Sequence, residues 1–307
     1  MATQKDIKDR IASVKNIQKI TRAMEMVAAA RLRRAEQRIE ALRPYARAIR
    51  KLTARVVANA QSIPNMPLLE PREDVETVAI LIVTGDRGLA GAFNSQIIRA
   101  ANRRQRELVK EGKQVVWYAS GKRGVSSLTF RGFEVAGAYQ GFTDRPSYAD
   151  AREIAEDLAA AFVDGKVDRI ETVHNHYISP LSQEVRNEVL LPLQEMASLL
   201  DTADEHLGTG DEDNDEPTGQ SRALWLFEPE PEEILQRLIP DYLEISIFRR
   251  LLESTASEHG ARMTAMRSAS DNASDLIGSL TLEANRRRQA EITQEIMEVV
   301  AGAEGLS

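Results

Sequence analysis

Apolar and polar positions along the first sixty residues follow one repeat. Ile7, Ile11, Val14, Gln18, Thr21, Glu25, Ala28, Leu32, Ala35, Ile39 and Leu42 are spaced alternately by four and three. This is a heptad stripe, and it predicts a helix over about residues 3–60 with a seam for a partner helix. The middle of the stripe is polar, at Gln18, Thr21 and Glu25. A second stripe, Ile17, Ile20, Met24 and Val27, runs beside the first and predicts contact from a second side. Pro44 removes a backbone hydrogen bond at a cost of about 3 kcal/mol in a straight helix, so a bend is expected there. The stretch "QSIPNMPLLEPRED", with three prolines, stops the helix.

The pattern then changes to short apolar runs alternating with amphipathic ones. "ETVAILIVT", "QVVWYAS" and "RIETVHNHYIS" read as strands, whereas "SQIIRAANRRQRELVKEG" and "SYADAREIAEDLAAAFVDG" read as helices. That alternation predicts a mostly parallel, doubly wound sheet over residues 75–228. "EVRNEVLLPL" and "ALWLFEP" add later extended segments. Between them, residues 201–222 are acidic and glycine-dotted, with almost nothing to bury, and are expected to form a disordered loop.

From Pro231 the helical period returns to the end of the chain. Pro240 is expected to break the first turns, and about sixty residues beyond it span roughly 90 Å as helix. Leu238, Tyr242, Ile245, Leu252, Met263, Met266, Ala273, Ile277, Leu280 and Ala284 form a loose, small-residue seam. Gly260 and Gly278 each cost about 1 kcal/mol against alanine, which points to close approach or local pliability. The expected fold is therefore α/β. A long antiparallel coiled coil of the N- and C-terminal helices (1–60 and 231–307) carries an inserted domain at 75–228, a shaft with a head.

Composition changes the picture in two places. The chain of 307 residues has no cysteine, which excludes disulfides, thiolate metal sites and cysteine nucleophiles. Its net charge of −7 hides an asymmetry. Residues 1–60 hold fifteen Lys/Arg against five Asp/Glu, while residues 201–217 hold eight Asp/Glu and no Lys/Arg. A basic end and an acidic middle point to macromolecular partners. No apolar run approaches the roughly 18 residues needed to span a bilayer, and the start lacks a secretory h-region. An intracellular, soluble chain able to dock on a membrane complex is expected.

The strongest local candidate for chemistry is "GDRGLAGAFN" (85–94), a glycine loop between a strand and a helix. Such a turn can cradle phosphate on free helix N–H groups. It lacks the lysine and hydroxyl of G-x-x-x-x-G-K-[ST], and Gly85, Gly88 and Gly91 do not fit G-x-G-x-x-G. A tight turn is the favoured reading, with glycine supplying positive φ and close packing. "SGKRGVSS" (120–127) reads as a turn and helix cap. His174 and His176 share a strand face, but two histidines without a third ligand make a poor metal site.

Three segments resemble the gamma subunit of F-type ATP synthases: "IKDRIASVKNIQKITRAMEMVAAARLRRAEQR" (7–38), "STASEHGARMTAMRSASDNASDLI" (254–277) and "NRRRQAEITQEIMEVVAGA" (285–303). "TGDRGLAGAFN" is similar to the central domain of the same family, so the likeness covers essentially the whole chain in order. Gly305 departs from the small or basic residue expected there, and the acidic loop looks longer than in many relatives.

The resemblance implies a non-catalytic rotary shaft with a Rossmann-like head and no cofactor or metal. Its single copy turns inside the ring of alpha and beta subunits, and the head meets the epsilon subunit and the membrane ring of c subunits. It implies a place on the cytoplasmic face of the bacterial membrane, in an enzyme that moves protons. It also implies contact residues. Met24, Arg31, Arg33 and Arg34 lie where the shaft faces acidic loops of the beta subunits, and Arg262, Arg288, Gln289 and Thr293 lie where it forms a catch with the catalytic subunits. Replacing Gln289 and Arg262 together by alanine is expected to weaken coupling without unfolding the chain.

From the residues alone two other classes stay open. One is a nucleotide-dependent enzyme or sensor on the central sheet, for which bulky residues at Gly88 or Gly91 would abolish binding. The other is a nucleic-acid scaffold, against which the apolar seams and scarce aromatics of the basic helix argue.

Overall fold

The computed structural model describes residues 4–59, 67–193 and 231–304. The acidic loop 201–222, the run "ALWLFEP" and all of "QSIPNM" lie outside the described residues. The elements are α1 (Gln4–Asn59), β1 (Thr77–Val83), α2 (Phe93–Lys110), β2 (Gln114–Ser120), α3 (Lys122–Phe130), β3 (Val135–Tyr139), α4 (Tyr148–Val163), β4 (Arg169–Ser179), β5 (Ser182–Leu191) and α5 (Pro231–Glu304). Both terminal helices are uninterrupted: α1 runs 56 residues through Pro44 and α5 runs 74 residues through Pro240. Pro240 therefore does not break the helix. Ile239 and Leu243, on either side of it, are fully buried and hold the turn in place.

Two compact units divide the chain. The first comprises residues 1–31, 89–91 and 259–307; the second comprises 32–88 and 92–258. In the first, the N-terminal half of α1 pairs with the C-terminal part of α5. Ile7, Thr21 and Ala28 are buried on α1, and Met266, Ser270, Ala273 and Leu280 on α5. The polar middle of the heptad stripe has its partners there. The Thr21 hydroxyl donates to the Gln18 carbonyl, and Arg267 Nε donates to Glu25 Oε1 at 2.8 Å. Every member of the stripe from Ile7 to Leu42 is buried or half-buried. On the second stripe Met24 is half-buried, but Ile17, Ile20 and Val27 are exposed.

The second unit is built on a five-stranded sheet of order β3-β2-β1-β4-β5, parallel except for the antiparallel β5. Alternate side chains of β1 leave opposite faces. Ala79, Leu81 and Val83 meet α4, through Ile154, Leu158 and Phe162, and α5, through Leu243, Ile247 and Leu251. The other face receives α2 and α3. A capping box, Ser147 with Asp150, starts α4 and satisfies two free N–H groups. Further along α1, Ala46 and Ile49 pack on Ile245 of α5, and Arg38 lies over the Phe248 ring and donates to the Pro146 carbonyl.

Charged side chains fasten β4 and β5 to α5. Glu253 accepts from Arg249 Nε and bonds His176 Nδ1, both at 2.7 Å. Burial works against its charge, but the His176 bond and the Arg249 charge outweigh it and push its carboxyl down to about 2. Beside this pair, Arg250 donates to Glu188 Oε2 at 3.0 Å. His174 is 1% exposed, and burial, reinforced by the Arg250 charge, lowers its pKa to about 4. The two histidines share a face, as their spacing requires, yet only His176 bonds a carboxylate, whereas His174 Nε2 lies 4.0 Å from Glu188. Among the described residues no group of three His, Cys, Asp or Glu could hold a metal ion.

A buried neutral histidine makes stability depend on pH with a definite sign. Unfolded, His174 takes up a proton below about 6.5; folded, it resists protonation until about 4. Its contribution is thus complete above pH 6.5 and lost as pH falls towards 4, amounting to about 2 kcal/mol between pH 7 and pH 5. Denaturant midpoints at the two pH values should show this loss, and His174→Gln should flatten the slope by roughly one proton.

Candidate functional site

In doubly wound sheets, ligands bind at the carboxyl ends of the strands. Here that crevice is filled by the chain itself. Asp86, in the glycine loop, accepts at Oδ1 from the Lys122 N–H at the start of α3 (2.9 Å). At Oδ2 it accepts from the Gly141 N–H (2.9 Å) and from the N–H and hydroxyl of Thr143. These are the donors a phosphate would use. Burial opposes the charge, but the four bonds hold the carboxyl below its usual range. A carboxylate of the chain occupies the anion's place.

α5 closes the rest of the crevice. Ser254 donates to the Val83 carbonyl and Thr255 to the Thr143 carbonyl. Glu258 approaches Gly85 so closely that a Cβ there would lie 2.6 Å from its carboxyl carbon. The cavity left between these groups is about 10 Å³, room for about one water molecule. The loop glycines divide their work. Gly85 admits Glu258 and Gly88 admits Arg123, whereas Gly91 adopts φ +54°. The positive φ next to it belongs to Leu89, not to a glycine. Gly121 has the tightest requirement, since a Cβ would sit 2.1 Å from the Thr84 carbonyl oxygen.

The residues singled out on the two helices do not form one cluster. Met24 and Arg31, seven apart, share a side of α1 and are both half-buried. Arg33 is nine residues from Met24 and thus on the opposite side; Arg33 and Arg34 are exposed. On α5, Arg288, Gln289 and Thr293 are all exposed, and the Thr293 hydroxyl donates to the Gln289 carbonyl at 2.8 Å. Arg262 stands apart. It is 26 positions from Arg288 along the same helix, or about 39 Å. Its side chain is buried, with NH1 3.2 Å from His259 Nδ1.

Beyond these residues, every residue from Arg288 to Val299 is exposed, including Ile292, Ile296, Met297 and Val299. The sequence seam ended at Ala284, but Ile292, Ile296 and Val299, spaced by four and three, continue an apolar period beyond it.

A family profile described as ATP synthase matches residues 3–306. The chain is 39% identical to the ATP synthase gamma chain of Saccharopolyspora erythraea, covering all of this chain and 98% of that one. It is 41% identical to the ATP synthase gamma chain of Rubrobacter xylanophilus, covering all of this chain and 99% of that one. Among solved structures, it is similar to a chain of the Euglena gracilis mitochondrial ATP synthase. There the TM-score is 0.65 at 16% identity, over 99% of this chain and 94% of that one. It is also similar to a chain of the Tetrahymena thermophila mitochondrial ATP synthase central stalk and c-ring, with TM-score 0.56 at 23% identity, over 82% of this chain and 99% of that one. With a filled crevice, paired terminal helices and full-length likeness in agreement, the chain belongs to the ATP synthase gamma-chain family, that of the enzyme's non-catalytic central rotor subunit.

Proposed function

We propose that this chain turns as a single copy inside a ring of alpha and beta subunits. Its sheet-bearing unit meets the epsilon subunit and the c-ring on the cytoplasmic face of the membrane. The observation that carries this reading is the bare helix from Arg288 to Val299. Four large apolar side chains in water forgo roughly 1.5–3 kcal/mol each of burial, which a surrounding sleeve of partner residues supplies. The exposed Ile17, Ile20 and Val27 on α1 ask for the same cover.

Rotation requires contacts that differ between angles, since a part bound equally at every angle passes no work. Exposed ion pairs are worth about 0–1 kcal/mol. Arg33 and Arg34, facing acidic loops of the beta subunits, therefore guide the shaft without trapping it, while Met24 and Arg31 meet the ring from another side of the helix. Arg288, Gln289 and Thr293 form the catch, because all three are open to a partner. Arg262, enclosed in its own unit, supports the helix on which the catch stands.

The test is assembly with matching alpha and beta subunits, checked for one copy of this chain per three of each. Cooperative ATP hydrolysis by that complex is the expected result; a folded chain that never assembles would overturn the reading. Within the complex, Arg288→Ala with Gln289→Ala should lower turnover by on the order of tenfold, the equivalent of about 1.4 kcal/mol, while leaving the melting temperature of the isolated chain unchanged. Arg262→Ala should do the opposite. By stranding a buried partner it should cost about 1–3 kcal/mol of stability and lower the melting temperature before any coupling defect is seen. Equilibrium dialysis of the isolated chain against ATP should show no saturable binding.

A further inference from the structure

Helices on the two faces of the sheet differ in charge. Residues 93–131, from the start of α2 to the end of α3, hold nine Lys/Arg against two Asp/Glu, whereas α4 on the other face holds one against four. On α2 the excess forms a stripe. Arg99, Arg103, Arg106 and Lys110 lie at intervals of four, three and four, within about 60° of one another around the helix and over about 16 Å of its length. All four are exposed. α3, which packs beside α2, adds exposed Lys122, Arg123 and Arg131. Among the described residues, no carboxylate forms a salt bridge with any of these seven. The acids within the span are committed elsewhere: Glu107 to Arg104, and Glu111 to Lys113 and Arg104.

One large apolar side chain stands out among these cations. Phe130, beside Arg131 at the end of α3, is 92% exposed. It lies seven residues from Arg123, so both leave the outer side of α3, away from the buried Gly124 and Leu128. Lys110 precedes β2 and Phe130 precedes β3, two neighbouring parallel strands, so both lie at the edge of the sheet where those strands start. Arginine supplies most of the cations, and its planar fork matches phosphate oxygens. Cations with an exposed aromatic ring are what a surface needs to lie on an anionic bilayer. The charged heads meet lipid phosphates, and the ring enters the boundary of the acyl chains. A single-stranded nucleic acid asks instead for successive aromatic rings on which its bases stack.

We propose that the layer of α2 and α3 docks on an anionic phospholipid bilayer, with Arg99, Arg103, Arg106 and Lys110 against the headgroup phosphates and Phe130 at the acyl boundary. Each cation brought to such a surface strengthens binding roughly fivefold, so the layer is held by many weak contacts. Salt releases it, since the Debye length falls from about 10 Å at 0.1 M to about 3 Å at 1 M. The same field turns the acidic α4 towards water, which gives the docked unit one orientation. A chain held this way searches for membrane partners in two dimensions. The contact is with lipid and not with a subunit, so it stands or falls apart from the rotor reading.

The test sediments the full chain with vesicles of phosphatidylcholine, either alone or with about one-third phosphatidylglycerol. Binding to the anionic vesicles should be at least about tenfold stronger at low salt, and that advantage should vanish by about 1 M salt. Arg99→Glu with Arg103→Glu should lower it at least about tenfold while leaving the melting temperature unchanged. Arg106→Glu with Lys110→Glu repeats the measurement should the first variant misfold. Arg152→Glu with Arg237→Glu, an equal change of charge at exposed sites on α4 and α5, should have a much smaller effect. The absence of cysteine lets a single label report insertion. A polarity-sensitive dye on Phe130→Cys should shift to the blue on anionic vesicles, whereas the same dye on Met297→Cys, on the bare end of α5, should not. Equal binding to both kinds of vesicle, binding that survives reversal of the stripe, or a shift at Met297 alone would overturn the proposal. Binding to a single-stranded oligonucleotide but to neither vesicle would overturn it as well, and would assign the face to nucleic acid.

Discussion

The sheet-bearing unit depends on a constraint met by α5 between Leu251 and Glu258, where all eight residues are buried. A helix enclosed all round is normally apolar on every face. This stretch reads "LLESTASE", so its polar groups must find partners or cost roughly 1–3 kcal/mol each. Glu253 finds Arg249 and His176, Ser254 and Thr255 find carbonyls at the ends of β1 and before α4, and Glu258 presses on Gly85. The sheet is thereby fixed to the helix at named atoms, in a register that apolar packing alone would leave free to slide. Polar burial here specifies position more than it adds stability.

The same residues cover the carboxyl ends of the strands. In doubly wound domains the strand ends stay open because nothing in the chain competes for them. Here a helix lies across them, and Asp86 has taken the free N–H groups at the start of α3 and around Gly141. Fold and function separate at this point: the sheet is doubly wound, and side chains of the chain cover the carboxyl ends of its strands.

The heptad stripe on α1 was fully legible, because burial along a helix follows a period of about 3.6 residues and the sequence kept to it through Leu42. The seam on α5 was equally plain from Leu238 to Ala284. Pro240 misled, because a local penalty of about 3 kcal/mol is outweighed where Ile239 and Leu243 are anchored. β3 went unread: five residues, "VAGAY", with two alanines and a glycine, carry almost no strand signal. The glycine loop was legible as a turn, but the role of Asp86 was not. A carboxylate that closes contacts with residues 36 to 57 positions away leaves no trace in local spacing. Arg262 was grouped with Arg288 by likeness of sequence; its burial and about 39 Å of helix set it apart.

Asp86 has one more consequence. A domain held together by a bound nucleotide has a stability that rises and falls with the supply of that nucleotide, by mass action. A carboxylate that is part of the chain cannot dissociate, so its concentration at the site never changes. For a part of an ATP-making machine this removes a feedback. Its sheet-bearing unit keeps the same firmness in a starved cell, where ATP has run down, as in a well-fed one.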